Sequence, residues 1–95
     1  MKGYVVCVYK NITNEEKLKE YAVKARVAVE RFNGKFLIRG GRTISKEGEK
    51  SPRTVVIEFP SYDEANAFYQ SKEYQGAHSI LKDHAERQFQ IVEGT

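Results

Sequence analysis

A run of six apolar residues near the start of the chain, Tyr4 to Tyr9, constrains the fold more than any other feature. The run is rich in valine, which favours strands. A strand that is apolar at odd and even positions alike is buried on both faces of its sheet. Because 95 residues leave room for only one core, we predict a single domain, residues 1–95, whose sheet is covered on both faces.

Helix starts are predicted from two capping boxes. Thr13 with Glu16, and Ser61 with Glu64, have the spacing in which a hydroxyl and a carboxylate satisfy the first free amide groups of a helix. Apolar residues at three- and four-residue spacing follow the first box. We expect Gly34 to end the first helix in a left-handed conformation.

The remaining strands are predicted at 35–39, 53–59 and from about Gln88 to Glu93, with a polar loop at 40–52. Ser71 is expected to cap a further helical segment after a break in the second helix. The order β-α-β-β-α-β is typical of the α+β ferredoxin-like fold, a four-stranded antiparallel sheet with two helices on one face. Since the open face is apolar too, we predict that a second copy of the chain covers it, giving a homodimer.

Composition argues against several classes of protein. The 16 Lys and Arg residues are interleaved with 13 Asp and Glu residues, and the net charge of +3 argues against nucleic-acid binding. Neither a signal peptide nor a membrane span is evident, so a cytoplasmic protein is expected. Cys7 is the only cysteine and forms no recognised motif with His78 or His84, so we expect no disulfide, no metal site and no cofactor.

Short motifs along nearly the whole chain are similar to those of one family. They are Tyr4-Val5, 34–41, 55–61, Ala65, Phe68-Tyr69, Ser71, Glu73-Tyr74 and 92–94. On these residues the chain resembles an uncharacterised bacterial family, domain of unknown function 1330, in the dimeric α+β barrel superfamily. Lys72 departs from the family pattern, which often has proline there. The resemblance implies two sheets that face each other across a homodimer, and it implies no activity.

Two charged residues in the predicted strands are candidate site residues. Arg39 precedes two glycines, and its guanidinium could bind a carboxylate or an enolate. Glu58 interrupts an apolar strand, where a carboxylate must be paired or have a raised pKa that suits a general base. The alternative is that Arg39 and Glu58 form a structural ion pair.

The last helical segment supplies the other candidates. His78 follows Tyr74 by four residues, so both rings are expected to face the sheet and line one pocket, with His78 as a possible base. Ser71 and Tyr74 lie where the helix breaks, and their hydroxyls could hold an anion or a carbonyl group. Capping and core packing explain the same residues without a function.

Three functions of different classes fit these patterns. The first is a homodimeric small-molecule-binding protein or cofactor-independent enzyme that uses Arg39, Glu58, Tyr74 and His78. The second is an RNA-binding module of similar topology, which Val55 disfavours because it stands where that module needs a stacking aromatic. The third is a purely structural or regulatory dimer.

Overall fold

The computed structural model describes all of residues 1–95. Its elements are β1 (Gly3–Ile12), α1 (Glu15–Arg31), β2 (Lys35–Arg39), β3 (Thr54–Phe59), α2 (Tyr62–Gln70), α3 (Lys72–Leu81) and β4 (Ala85–Glu93). The strands form one antiparallel sheet in the order β2-β3-β1-β4. The predicted α+β ferredoxin-like class is therefore confirmed. None of the helices is both long and apolar enough to cross a membrane.

The core lies between the helices and one face of the sheet. Strands β1 and β3 contribute alternate residues to this helix-covered face: Val5, Cys7, Tyr9, Val55, Ile57 and Phe59. Their neighbours on the other face, which we call the open face, include Val6, Val8 and Val56 and are only half-buried. The doubly apolar first strand thus has one face in the core and one apolar face that the single chain leaves partly exposed.

Helix α1 begins one residue later than predicted. Asn14 is its N-cap, and the Asn14 side-chain oxygen accepts a hydrogen bond from the amide of Lys17 at 3.0 Å. Thr13 makes no cap because its hydroxyl and its amide both donate to the carbonyl of His84, at 3.0 and 2.8 Å. The Thr13 hydroxyl, which the capping box predicts to bond within the helix, therefore bonds to the turn before β4 instead. Asparagine serves equally well as an N-cap.

The end of α1 also differs from the prediction. Asn33 has the left-handed backbone, with φ of 61°, whereas Gly34 does not. Gly34 is required for space, since a Cβ there would lie 2.7 Å from side-chain carbons of both Val29 and Phe59. Asparagine tolerates the left-handed region better than most residues do.

The caps of the second helical region are confirmed. The Ser61 hydroxyl accepts from the amide of Glu64 at 3.1 Å and begins α2. The Ser71 hydroxyl accepts from the amide of Tyr74 at 3.0 Å and donates to the carbonyl of Phe68 at 2.7 Å. Ser71 thus ends α2 and begins α3, so the region consists of two separate helices.

Strand β2 contains a bulge at Leu37. Phe36 pairs with Ile57 and Ile38 pairs with Val56, which leaves Leu37 without a partner on β3. The extra residue changes which side of the sheet the following residues face. Arg39, opposite Val55, consequently lies on the helix-covered face.

Candidate ligand-binding site

Strand β4 begins earlier than the predicted Gln88, and the added residues include Arg87. Arg87 alternates with Phe89 and Ile91, which pack against the core. A strand directs alternate side chains to the same face. Arg87 therefore carries its charge to the helix-covered side of the sheet, where it is half-buried.

Three tyrosine hydroxyls surround the guanidinium of Arg87. Its Nη1 donates to the hydroxyls of Tyr9 and Tyr21, at 3.1 and 3.0 Å, and its Nη2 donates to Tyr74 at 2.7 Å. The hydroxyls of Tyr21 and Tyr74 also bond to each other at 2.9 Å. The three tyrosines come from β1, α1 and α3, so this cluster joins three elements to β4.

The tyrosines are neutral partners of a cation. Burial raises the pKa of Tyr9 to about 12, and burial likewise raises the pKa values of Tyr21 and Tyr74. Arg87 stays protonated: burial acts to lower its pKa, but Tyr21, Tyr74 and the other neighbouring groups outweigh burial and raise it. The ion pairs of the chain all lie elsewhere. The cluster therefore holds a positive charge without an acidic counter-charge.

A small cavity lies next to this cluster, between α1 and the sheet. Its volume is about 30 Å³, and its lining is apolar apart from two tyrosines, Cys7 and three arginines, Arg39, Arg53 and Arg87. A space of this size holds one or two water molecules or the head of a small anion. The Nε of Arg53 is buried and has no hydrogen-bond partner. No acidic side chain lines the cavity.

Arg87 also lines a larger groove. It has a volume of about 350 Å³, and its walls include Tyr69, His78 and Lys82 from the helices and Phe89 from β4. Arg87 and Phe89 line both spaces, so the cavity and the groove are neighbours along β4.

His78 faces this groove from α3. Its imidazole stacks on the ring of Tyr74, with centroids 6.0 Å apart and an interplanar angle of 13°. Burial lowers the pKa of His78, and the positive charges of Arg87 and Lys82 lower it further. The histidine is therefore a neutral base near pH 7.

The structure brings two of the predicted site residues to these two spaces and a third to Arg87 beside them. Tyr74 bonds to Arg87, His78 lines the groove, and Arg39 lines the cavity, where its guanidinium lies 4.6 Å from the ring of Phe36. Ser71 lines neither the cavity nor the groove. Its hydroxyl is used for the caps at the end of α2 and the start of α3.

Glu58 lies on the open face, away from the other candidates. It accepts a hydrogen bond from the Tyr4 hydroxyl at 3.1 Å, and Lys2 Nζ lies 4.0 Å from it. The alternative of a structural ion pair between Arg39 and Glu58 is wrong. Glu58 pairs across the sheet with Lys35, and the bulge in β2 places Arg39 on the opposite face.

Sequence reasoning missed Arg87 and Arg53, although a signal for Arg87 was present. From Ala85 onward, every second residue up to Ile91 is apolar except Arg87. A strand predicted over all of residues 85–91 would place the charge of Arg87 on the core face of the sheet. Arg53 was assigned to β3 by its position, but nothing in the sequence shows that its Nε is buried.

A family described as Domain of unknown function (DUF1330) matches residues 2–95. No curated protein matches.

Solved structures share the fold at low sequence identity. A protein of unknown function from Rhodopseudomonas palustris is 14% identical, with a TM-score of 0.79 over 99% of this chain and 82% of that one. A dimeric ferredoxin-like protein of unknown function from Jannaschia sp. CCS1 is 13% identical, with a TM-score of 0.78 over 99% of this chain and all of that one. A Caulobacter crescentus CB15 protein, whose name suggests an antibiotic biosynthesis monooxygenase, is 12% identical, with a TM-score of 0.64 over 99% and 89% of the two chains.

Proposed function

We propose that this chain, which belongs to the DUF1330 family, is a homodimeric protein that binds a small organic anion at Arg87. The family description gives no function, so the proposal is argued from the site. One observation carries this proposal. The guanidinium of Arg87 is held by three neutral hydroxyls and by no carboxylate. A ligand with a negative charge would supply the counter-charge that the protein lacks.

The energetics favour a bound anion. Removing an ion from water without pairing it costs several kcal/mol, so buried charges are normally paired. Arg53 adds a second argument, because its buried Nε donor has no acceptor. Leaving such a donor without a partner costs about 1–3 kcal/mol. An oxyanion that reached the cavity would accept from Arg53 and Arg87 together.

The lining indicates the ligand's chemical class. Guanidinium groups bind carboxylates and similar planar oxyanions through paired hydrogen bonds. The cavity, at about 30 Å³, holds only the anionic head, and an apolar group attached to that head would lie against Tyr69, Leu81 and Phe89 of the groove. We therefore expect a small carboxylate, or an enolate, with an apolar body.

The open face supports assembly into a dimer. Val6, Val8 and Val56 form an apolar strip there that the single chain leaves half-exposed. The Jannaschia relative is described as dimeric. A second copy packed sheet to sheet would bury the strip. Substituting Val6→Glu should yield a monomer in size-exclusion chromatography with light scattering, whereas Val23→Glu, on the exposed side of α1, should leave a dimer. A wild-type monomer at micromolar concentration would contradict the dimer.

Ligand binding can be tested by thermal shift with matched pairs of compounds. Each pair is a small carboxylate with an aromatic or branched body and its neutral amide. A carboxylate at 100 times its Kd should stabilise the wild type by about 2.7 kcal/mol. The amide should give no shift, because it does not neutralise Arg87.

Variants identify the binding residues. Arg87→Met and Arg53→Met should abolish the carboxylate shift, whereas Arg42→Met, in the exposed loop, should keep it. If no carboxylate shifts the wild type, the protein is better described as a structural dimer. A shift that survives in Arg87→Met would place the ligand elsewhere.

A further inference from the structure

We propose that His78 is a general base: it removes a proton from the carbon next to the keto group of a 2-oxo acid whose oxygens are held by Arg87. The inference rests on the proposed function, since it requires an anion at Arg87. It adds a reaction and a substrate class to that site.

The groove has the size and the walls that such a ligand needs. Its volume of about 350 Å³ exceeds that of the cavity, which is about 30 Å³ and admits only a few atoms. Small-molecule sites typically begin at about 300 Å³. Tyr69, Leu81 and Phe89 supply apolar surface along the groove, and Arg87 lies where the groove meets the cavity. A ligand anchored at Arg87 would therefore extend its apolar body along the groove.

Tyr74 fixes the positions of His78 and Arg87 relative to each other. Its hydroxyl accepts from Arg87 at 2.7 Å, and its ring face stacks on the imidazole of His78. Tyr74 is fully buried, so the core holds its ring and its hydroxyl in place. A base and an oxyanion-binding cation thus both contact Tyr74, the base at the ring face and the cation at the hydroxyl. Proton abstraction next to a carbonyl group uses these two groups together, the base at the carbon and the cation at the oxygen.

The charged groups around His78 favour its neutral form. Burial lowers the pKa of His78 most, and the positive charges of Arg87 on β4 and of Lys82, the C-cap of α3, lower it further. Glu86 and Tyr69 also line the groove, but neither is a cause of the lowered pKa of His78. At neutral pH the imidazole can therefore accept a proton.

The proposed step needs no oxidant and no cofactor. The imidazole nitrogen of His78 takes the proton from C3 of the 2-oxo acid, and the C–H electron pair becomes the C2–C3 double bond. The carbonyl electron pair moves to the C2 oxygen, and Arg87 binds the resulting enolate oxygen. The imidazolium then exchanges its proton with water and returns a proton to C3. The net result in D₂O is replacement of hydrogen by deuterium at C3.

Deuterium exchange tests this inference. Phenylpyruvate is the probe, because it joins a 2-oxo acid to an aromatic body. The loss of its C3 proton signal is followed by NMR in D₂O, with and without the dimeric protein, and binding is measured in parallel by thermal shift. The wild type should accelerate exchange over buffer. Removal of the base should lower the enzymatic rate by about 10²–10⁴-fold.

The variants separate catalysis from folding and from binding. His78→Asn and His78→Phe should both lose exchange and keep the thermal shift, and His78→Phe retains a ring to stack on Tyr74. His84→Asn is the matched control, because His84 lies in the turn before β4 outside the groove, and it should exchange at the wild-type rate.

Each outcome has a distinct meaning. Binding of phenylpyruvate without exchange, or exchange that survives in both His78 variants, would overturn the role of His78 and leave the anion site intact. If other carboxylates bind but phenylpyruvate does not, the substrate class is wrong. If no carboxylate binds, the proposed function fails and this inference fails with it.

Discussion

The hydrogen bond between Tyr74 and Arg87 can be measured as a coupling free energy. Tyr74 is fully buried, and its hydroxyl accepts from Arg87 Nη2 at 2.7 Å, within the range of charge-assisted bonds. Replacing Tyr74 by Phe removes the acceptor and leaves this donor of the cation without a partner. In an Arg87→Met background the same replacement removes no such bond. The double-mutant cycle should therefore give a coupling of about 1.5–3 kcal/mol, the contribution typical of a hydrogen bond to a charged group.

The assay is urea unfolding of the wild type, both single variants and the double variant. All four are compared at one protein concentration, because the stability of the proposed dimer would depend on concentration. A second cycle with Tyr69→Phe and Arg87→Met is the control. The Tyr69 ring lies 5.3 Å from the ring of Tyr74, but Tyr69 is not a hydrogen-bond partner of Arg87. Its coupling should stay below about 0.5 kcal/mol. A Tyr74 coupling no larger than the control would refute the idea that the hydroxyls hold the cation.

Three further predictions concern stability. Gly76→Ala should stabilise the protein by about 1 kcal/mol in urea unfolding, because Gly76 is exposed within α3 and an added Cβ meets nothing within 4 Å; a loss of stability would contradict this. Gly3→Ala should destabilise it by about 1–3 kcal/mol in the same assay, since its Cβ would lie 2.5 Å from Tyr62 Cα, and an unchanged midpoint would count against that contact. Folding lowers the pKa of His78, so at a pH below the ordinary histidine pKa the unfolded chain binds more protons than the folded chain. The free energy of unfolding therefore decreases as the pH is lowered. Unfolding measured from pH 7 to 5 should show a smaller loss for His78→Phe than for wild type, and parallel curves would disprove the shift.

The fold could be predicted because its signals are local. The apolar run at β1, the hydroxyl of Ser61 and the hydroxyl of Ser71 each act within a few residues of their own position, and the structure confirms all three. Thr13 shows the limit of such reasoning. Its hydroxyl bonds to His84, 71 residues away, and no local pattern reveals that contact.

The candidate site was harder to predict because long-range pairing creates it. Tyr9, Tyr21 and Tyr74 are each explained locally as apolar members of a strand or a helix. Only the fold directs their hydroxyls to a single guanidinium. His78 and Tyr74 were predicted to face the sheet because their spacing on one helix is local information. Glu58 was grouped with Arg39 because an unpaired bulge in β2 leaves no reliable mark in the sequence.

That bulge has a consequence for comparing this chain with shorter or longer relatives. Leu37 has no partner on β3, and its side chain is 47% exposed. Strands normally tolerate no change of length, because losing one residue turns all later side chains to the other face. Here the loss of Leu37 alone would straighten β2 and leave the pairings of Phe36, Ile38 and Arg39 as they are. A one-residue gap at this point in an alignment therefore marks a tolerated deletion, and the arginine after it keeps its place beside the cavity.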